Sequence, residues 1–375
     1  MKQLKVLNLV WLLIMLSCFA RAQSKNAVFS PEVKTTGEVT FRFLAPNAKN
    51  VRLIMDDGKE RKMQLDSIGV WSYQENFNPD IYRYTFNVDG NILPDPNNPD
   101  IKPLFKKALG QSLVQVHGPD SLSWELKNVP HGELRQHFYQ SKVVGDQRDV
   151  RVYTPPGYDP LRKEPYPVLY LFHGITDETS AWITAGRENI IMDNLIAEGK
   201  AKEMIIVNTL GYGAPEMFVP GVAGYDKALL QKNEEFFVRE VIEEVIPMIE
   251  KLYHTKADKK YRAIAGLSMG GGQSLDIGLN HPKLFSYVGG FSAAVILLNP
   301  SYELAFPKLD ADINKELKLI WIAIGRDDFL IESNRKYRDW LLSKKIKFSY
   351  KETEGVHSYQ VWRRYLTEFA PLLFQ

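Results

Sequence analysis

The sequence has almost no cysteine. Its single cysteine, Cys18, sits in a leader-like stretch, so no disulfide framework, thiolate nucleophile or cysteine metal site is expected in the rest of the chain. Histidine is also scarce, with seven in 375 residues. No grouping of His, Asp and Glu has metal-ligand spacing, and neither a metal nor any other cofactor is expected. Charge of one sign is not in excess either: 47 Lys and Arg against 45 Asp and Glu leave +2. Without single-sign runs there is no basis for a nucleic-acid or polyanion partner. Beyond the N-terminal leader no apolar run is long enough for stable membrane insertion.

The leader itself has the form of an export signal. Met1 to Lys5 supply the positive region, Val6 to about Phe19 an apolar stretch too short to span a bilayer, and Ala20-Arg21-Ala22 a small-residue cleavage site. The expectation is a signal peptide over 1–22 and a periplasmic or secreted protein. Lipid attachment at Cys18 is the competing reading, but Met15-Leu16-Ser17 matches the lipoprotein pattern poorly.

What remains is a chain with 45% hydrophobic residues, long enough for two domains. From 27 to 116 the pattern is all-β. Short, partly alternating runs at Val39–Leu44, Val51–Met55, Val70–Tyr73 and Tyr82–Val88 are separated by turns such as Asp56-Asp57-Gly58, which predicts a small β-sandwich. Trp71, Tyr82 and Tyr84 lie on these strands and are expected to fill its core rather than to bind sugar. Residues 117–135 read as a linker, with Trp124 and Leu126 docked on one of the domains. A chain starting near Val129 is accordingly expected to keep its activity on small substrates. From 136 to 375 strands and helices alternate, which predicts an α/β fold with a mostly parallel sheet and its ligand site at the carboxyl ends of the strands.

The second domain centres on Gly266-Leu267-Ser268-Met269-Gly270. An apolar strand, Ala263–Ala265, precedes it, and a helix reaching about Asn280 follows. Three glycines at the head of a helix cost roughly 1 kcal/mol each in propensity, a cost that makes sense where a serine sits on a sharp strand-to-helix turn. A serine hydroxyl needs a positioned base, and the base needs an acid to orient it. His357, in the loop after the last strand, stands where such a base belongs. The strand ending at Ile324 runs into Gly325-Arg326-Asp327-Asp328, and spacing does not choose between the two aspartates. The N–H groups of Met269 and of Ile175, after the strand Leu169–Phe172, are the expected oxyanion donors. His173 is expected to be a buried orienting residue.

Two resemblances follow from these residues. Phe43–Val51, Gly69–Ser72, Tyr82–Tyr84 and Val88–Gly90 resemble immunoglobulin-like early-set modules, a group that includes family 48 carbohydrate-binding modules. Val129–Gly132, Val152–Tyr158, Tyr166–Gly174, Arg262–Gly271 and Gly355–His357 together resemble carbohydrate esterase family 1, the bacterial feruloyl and acetyl xylan esterases. That resemblance implies an α/β-hydrolase fold with Ser268 as nucleophile and His357 as base. Its G-x-x-D pattern falls on Gly325–Asp328 and favours Asp328 as the acid. It also puts Trp182 near the acyl pocket as a flat surface for an aromatic acyl group, and implies feruloylated or acetylated xylan oligosaccharides as substrate. The same domain order is similar to enterochelin esterases, mycolyltransferases use the same triad, and a dead hydrolase that only binds glycan is the non-enzyme alternative.

Overall fold

The computed structural model describes residues 28–106, 109–119, 122–218, 226–295 and 301–375; the export signal expected over 1–22 lies outside them. The N-terminal part is a two-sheet sandwich. One sheet runs β1 (Glu32–Val33), β2 (Glu38–Leu44), β6 (Val70–Asn76), β5 (Gln64–Leu65); the other runs β4 (Glu60–Lys62), β3 (Val51–Met55), β7 (Asp80–Val88), β10 (Gln111–Val116), β9 (Ile101–Lys102), with β8 (Asn91–Leu93) also on β7. Their inner faces bury Val39, Phe41, Leu53 and Phe86 together with Trp71 and Tyr84. Tyr82 is half-buried and packs beside Phe77. The ring edges of these aromatics stabilise the core and leave Trp71 and Tyr84 no surface for a sugar.

The second part holds one eight-stranded sheet, in the order β11 (Glu133–Gln140), β12 (Gln147–Thr154), β14 (Ile205–Thr209), β13 (Val168–Phe172), β15 (Arg262–Leu267), β16 (Tyr287–Phe291), β17 (Leu319–Gly325), β18 (Ser349–Thr353). From β14 to β18 the pairing is parallel; β11 and β12 add an antiparallel edge. Every residue of β13, β14, β15 and β16 is buried, as a sheet covered on both faces requires. The covering helices are α1 (Ala181–Thr184), α2 (Glu188–Ala197), α3 (Lys227–Glu240), α4 (Ile246–Leu252), α5 (Met269–Asn280), α6 (Ile331–Ser343) and α7 (Tyr359–Phe369). Helix α3 starts at Lys227, where Asp226 caps it by accepting the Leu229 N–H at 3.0 Å.

The two parts share a core. Ile81 of β7 and Leu113 of β10 pack into the same buried cluster as Trp182, Tyr359 and Leu366, and α7 packs on β7 as well as on β16 and β17. Within the segment expected as linker, Trp124 joins this cluster and Leu126 does not dock, being 72% exposed. Two buried ion pairs cross the junction. Arg363 of α7 meets Asp80 at 2.5 Å and donates to the Ile81 carbonyl at 2.7 Å, and Lys102 pairs with Asp177. Neither charge could be taken out of water without its partner.

Candidate active site

The elbow is built by steric exclusion. Ser268 lies between β15 and α5 with φ 53° and ψ −116°, a conformation that costs a non-glycine residue of order 1–3 kcal/mol and has to be held by its surroundings. Its N–H donates to the Phe291 carbonyl at 2.8 Å, and its carbonyl accepts from Ala294 at 2.9 Å. A side chain on Gly266 would lie 2.4 Å from the Gly270 carbonyl oxygen, and one on Gly270 would lie 2.5 Å from that of His173. Only glycine fits at either place.

Three loops at the carboxyl ends of the strands bring the partners together. The Ser268 hydroxyl is 2.9 Å from His357 Nε2, and His357 Nδ1 is 2.8 Å from Asp328 Oδ2. The second carboxylate oxygen of Asp328 accepts the Leu330 N–H at 2.9 Å, which fixes the acid at the head of the turn leading to α6. Asp328 is buried and Asp327 exposed, so the ambiguity between them ends in geometry: Asp328 faces the imidazole, and Asp327 lines the cleft outside. The imidazole is held between the Phe329 ring at 4.5 Å and the edge-on Trp362 ring at 4.8 Å. A hydroxyl, an imidazole and a buried carboxylate in this chain can pass a proton from oxygen to nitrogen while the carboxylate stabilises the imidazolium.

Both expected oxyanion donors border this constellation. Met269 is the first residue of α5, so its N–H has no acceptor within the helix. The Gly174 carbonyl turns inward, accepting from His173 Nδ1 at 2.8 Å and from the Tyr212 hydroxyl at 3.3 Å. Across a planar trans peptide the N–H points opposite to the C=O, so the Ile175 N–H points outward. His173 Nε2 accepts the Gly211 N–H at 3.0 Å, and burial holds its pKa below the usual value. A neutral imidazole with its proton on Nδ1 satisfies both contacts.

Trp182 does not offer the surface expected of it. Its side chain is fully buried, its indole N–H donates to the Phe172 carbonyl at 2.9 Å, and its ring packs edge-on against Phe291 and Tyr359. The N–H needed a partner once the ring was buried, and the end of β13 supplies one. The tryptophan supports the floor of the site from within the core.

Two clefts have Ile175 in common as a lining residue. The wider, about 460 Å³, contains Ser268, His357, Asp327, Phe329 and Trp362, and its far wall is Asp56, Asp57, Gly58 and Arg83 of the N-terminal sandwich. Sequence reasoning missed that wall, and no local pattern around Arg83 signals it. The narrower cleft, about 80 Å³, is bordered by Ile175, Met269, Met217, Leu230 and Phe306, with the half-buried carboxyls of Glu234 and Asp276 on its side. Burial, then the neighbouring Asp276, pushes the Glu234 carboxyl up, and burial does the same to Asp276. A still larger hollow of about 690 Å³ lies at the amino ends of β13, β15, β16 and β17 and holds none of these groups. Among the described residues no cluster of His, Cys, Asp or Glu could hold a metal ion, and no helix is long and apolar enough to cross a membrane.

A mostly parallel sheet gains nothing from a strained serine at the head of its central helix unless the hydroxyl is used, and helices on both faces leave only the strand ends open to a ligand. The fold and the site are those of an α/β-hydrolase. Within that class the chain belongs to the Esterase family, whose model matches residues 141–373, a family of serine carboxylic-ester hydrolases. It is 32% identical over 354 residues to an endo-1,4-beta-xylanase/feruloyl esterase of Xylanibacter ruminicola, an alignment covering 92% of this chain and 46% of that protein. The chain thus spans about half the length of that relative. A carbohydrate esterase family 1 ferulic acid esterase of Anaeromyces mucronatus, solved with ferulic acid, superposes with a TM-score of 0.60 at 26% identity, over 68% of this chain and 96% of that one. The enterochelin esterase of Shigella flexneri superposes with a TM-score of 0.68 over 95% of this chain and 97% of that one, at 17% identity, a likeness of fold that includes the sandwich.

Proposed function

We propose that the chain is a feruloyl esterase, releasing ferulate, and acetate more weakly, from xylan-type oligosaccharides. The observation that carries this reading is the hydrogen-bonded chain Ser268–His357–Asp328 opening on a cleft, in a protein akin to a xylanase/feruloyl esterase. In the proposed mechanism His357 Nε2 takes the proton of Ser268 as the oxygen attacks the ester carbonyl, and Asp328 stabilises the imidazolium. The N–H groups of Met269 and Ile175 bind the developing oxyanion, each contributing about 2.7–4 kcal/mol of transition-state stabilisation. His357 then gives the proton to the leaving alkoxide, and water repeats the sequence on the acyl-enzyme.

This proton path orients the substrate. The leaving alcohol must lie within reach of His357, hence in the wide cleft, and the acyl group then extends past the oxyanion donors into the narrow one. There the aryl ring packs against Met217, Leu230 and Phe306, and a phenolic hydroxyl can donate to Glu234 or Asp276. Trp182 takes no part. The enterochelin-type reading is kept for one observation, the likeness of fold over both parts of the chain. Against it, among the described residues the cations at the cleft are already paired, Arg83 with Asp56 and Lys102 with Asp177, which leaves an anionic siderophore no surplus charge there.

Initial rates on methyl ferulate, acetylated xylo-oligosaccharide and a catecholate siderophore lactone test the reading. The expected order is ferulate, then acetate, with the lactone far behind; a preference for the lactone overturns it. Ser268→Ala should lower kcat by about 10³-fold or more, and retention of more than about a tenth of kcat would remove Ser268 from the mechanism.

A further inference from the structure

In the wide cleft a wall from one part of the chain faces the catalytic serine of the other. Asp56, Asp57 and Gly58 form the turn after β3, Arg83 lies on the neighbouring β7, and all four border the cleft that holds Ser268 and His357. The wall is preorganised. Asp56 accepts the Arg83 backbone N–H at 2.7 Å and pairs with its Nε at 3.1 Å, so one carboxylate fixes both ends of the arginine. Gln111 of β10 accepts from Nη1 at 3.3 Å. Among the described residues Nη2 has no acceptor, and the side chain keeps about a third of its surface (32%). At the back of the cleft Lys102 of the sandwich meets Asp177, whose other oxygen accepts the Tyr359 hydroxyl at 2.8 Å. This buried cross-link keeps the wall from drifting.

We propose that the N-terminal sandwich supplies the sugar subsite of the esterase, with Arg83, clamped by Asp56, as the residue that selects a neutral glycosyl alcohol. The inference rests on the reading above, in which the alcohol side of the ester occupies the wide cleft. A planar guanidinium with protons left over suits a pair of adjacent sugar hydroxyls. Across the cleft Phe329 is 76% exposed and offers an apolar face on which a sugar ring can stack. Charge narrows the class further. Asp56 offsets Arg83, Arg61 pairs with Asp57 at 2.9 Å, Lys102 offsets Asp177, and Asp327 adds a carboxylate. A uronate would find no net positive charge here, whereas an uncharged pentose would need none. The module therefore acts on specificity at the catalytic centre and is not a separate glycan-binding unit.

The experiment compares two esters of one acid in the full-length protein, methyl ferulate and a feruloylated arabinoxylan oligosaccharide. Arg83→Gln should reduce kcat/KM for the oligosaccharide about tenfold more than for the methyl ester, the size expected for losing a charge-assisted hydrogen bond, and the excess should appear in KM. Arg83→Lys keeps the charge beside Asp56 but loses the fork, so it carries the test if the glutamine variant folds poorly; a smaller excess in the same direction is expected. Equal losses on the two esters, or none on the oligosaccharide, would overturn the assignment. If the unaltered protein hydrolyses neither feruloyl ester, it is the acyl reading that has failed. The same comparison, run with acetylated xylo-oligosaccharide against 4-nitrophenyl acetate, then still decides the role of Arg83.

Discussion

At the scale of the residue, one backbone step separates Asp327 from Asp328, and they face different surroundings. Asp328 is buried with both oxygens committed, one to His357 and one to the Leu330 N–H. Asp327 stays on the rim of the cleft. Asp328→Asn should lower kcat by about 10⁴-fold, since an amide there favours the wrong imidazole tautomer, whereas Asp327→Asn should leave it within about threefold, a surface change. Steady-state rates on one small ester decide between them, and a larger loss at Asp327 would reverse the assignment. A second residue bears on stability alone. Glu188 is fully buried, with one carboxyl oxygen bonded to Asn208 at 2.9 Å, and burial pushes its pKa up to about 8. The folded protein therefore holds this proton up to about pH 8, whereas the unfolded chain gives it up near the ordinary glutamate value of 4.5. Between those limits the unfolded state binds fewer protons, so stability falls as pH rises from about 4.5 to 8. Glu188→Gln should flatten that fall and raise Tm at pH 8, by about 2–4 °C for each kcal/mol regained. Thermal scans at pH 5 and pH 8 would contradict this if the unaltered protein were the more stable at the higher pH.

At the scale of the element, the parallel strands were legible because they are buried on both faces. Val168–Phe172, Arg262–Leu267 and Tyr287–Phe291 read as short apolar runs, and they emerge as β13, β15 and β16. Strand β11 was not legible. Glu133–Gln140 is exposed over most of its length, and its sequence, ELRQHFYQ, has no apolar alternation to mark a strand that begins before the expected linker ends. It forms because it pairs with β12 along its whole length, which satisfies its backbone without burying a face. The elbow is the opposite case, an element dictated by contact at every position. Gly270→Ala would put a methyl group 2.5 Å from the His173 carbonyl oxygen and 2.7 Å from the Phe172 Cβ. These belong to the strand end that carries Ile175, so the change should both destabilise the fold by about 1–3 kcal/mol and lower kcat. Denaturant unfolding with matched kinetics checks it, and a variant with normal stability and normal kcat would show that the close approach is not needed.

At the scale of the whole molecule, the two parts of the chain share a buried core and two buried ion pairs, which argues against the separability the sequence suggested. A chain starting near Val129 lacks Asp80 and Lys102, the ion partners of Arg363 and Asp177. Ile81, Leu113 and Trp124 would leave the shared core as well, exposing the apolar surface of Trp182, Tyr359 and Leu366 that packs in the same cluster. Contrary to the expectation drawn from the sequence, that truncated chain should lose cooperative unfolding and its activity on small esters. A well-folded, fully active truncation, judged by calorimetry and by turnover of methyl ferulate, would show the junction to be dispensable.

What the sequence determined by itself was whatever depends on neighbours along the chain: the apolar strands, the glycines around Ser268, and the order of serine, aspartate and histidine along alternating strands and helices. These follow from local propensity, periodicity and steric rules that act over a few residues. Only the tertiary structure decided what depends on groups far apart in sequence. It turned Asp328 toward His357, as the family resemblance had favoured and spacing alone had left open, because the turn into α6 captures one of its oxygens. It buried Trp182, because the end of β13 accepts the indole N–H. It set Arg83 across the cleft from Ser268, because two buried ion pairs and a shared apolar core hold the sandwich there. None of these contacts leaves a trace in sequence spacing, since each joins segments whose separation along the chain is unrelated to their distance in the fold.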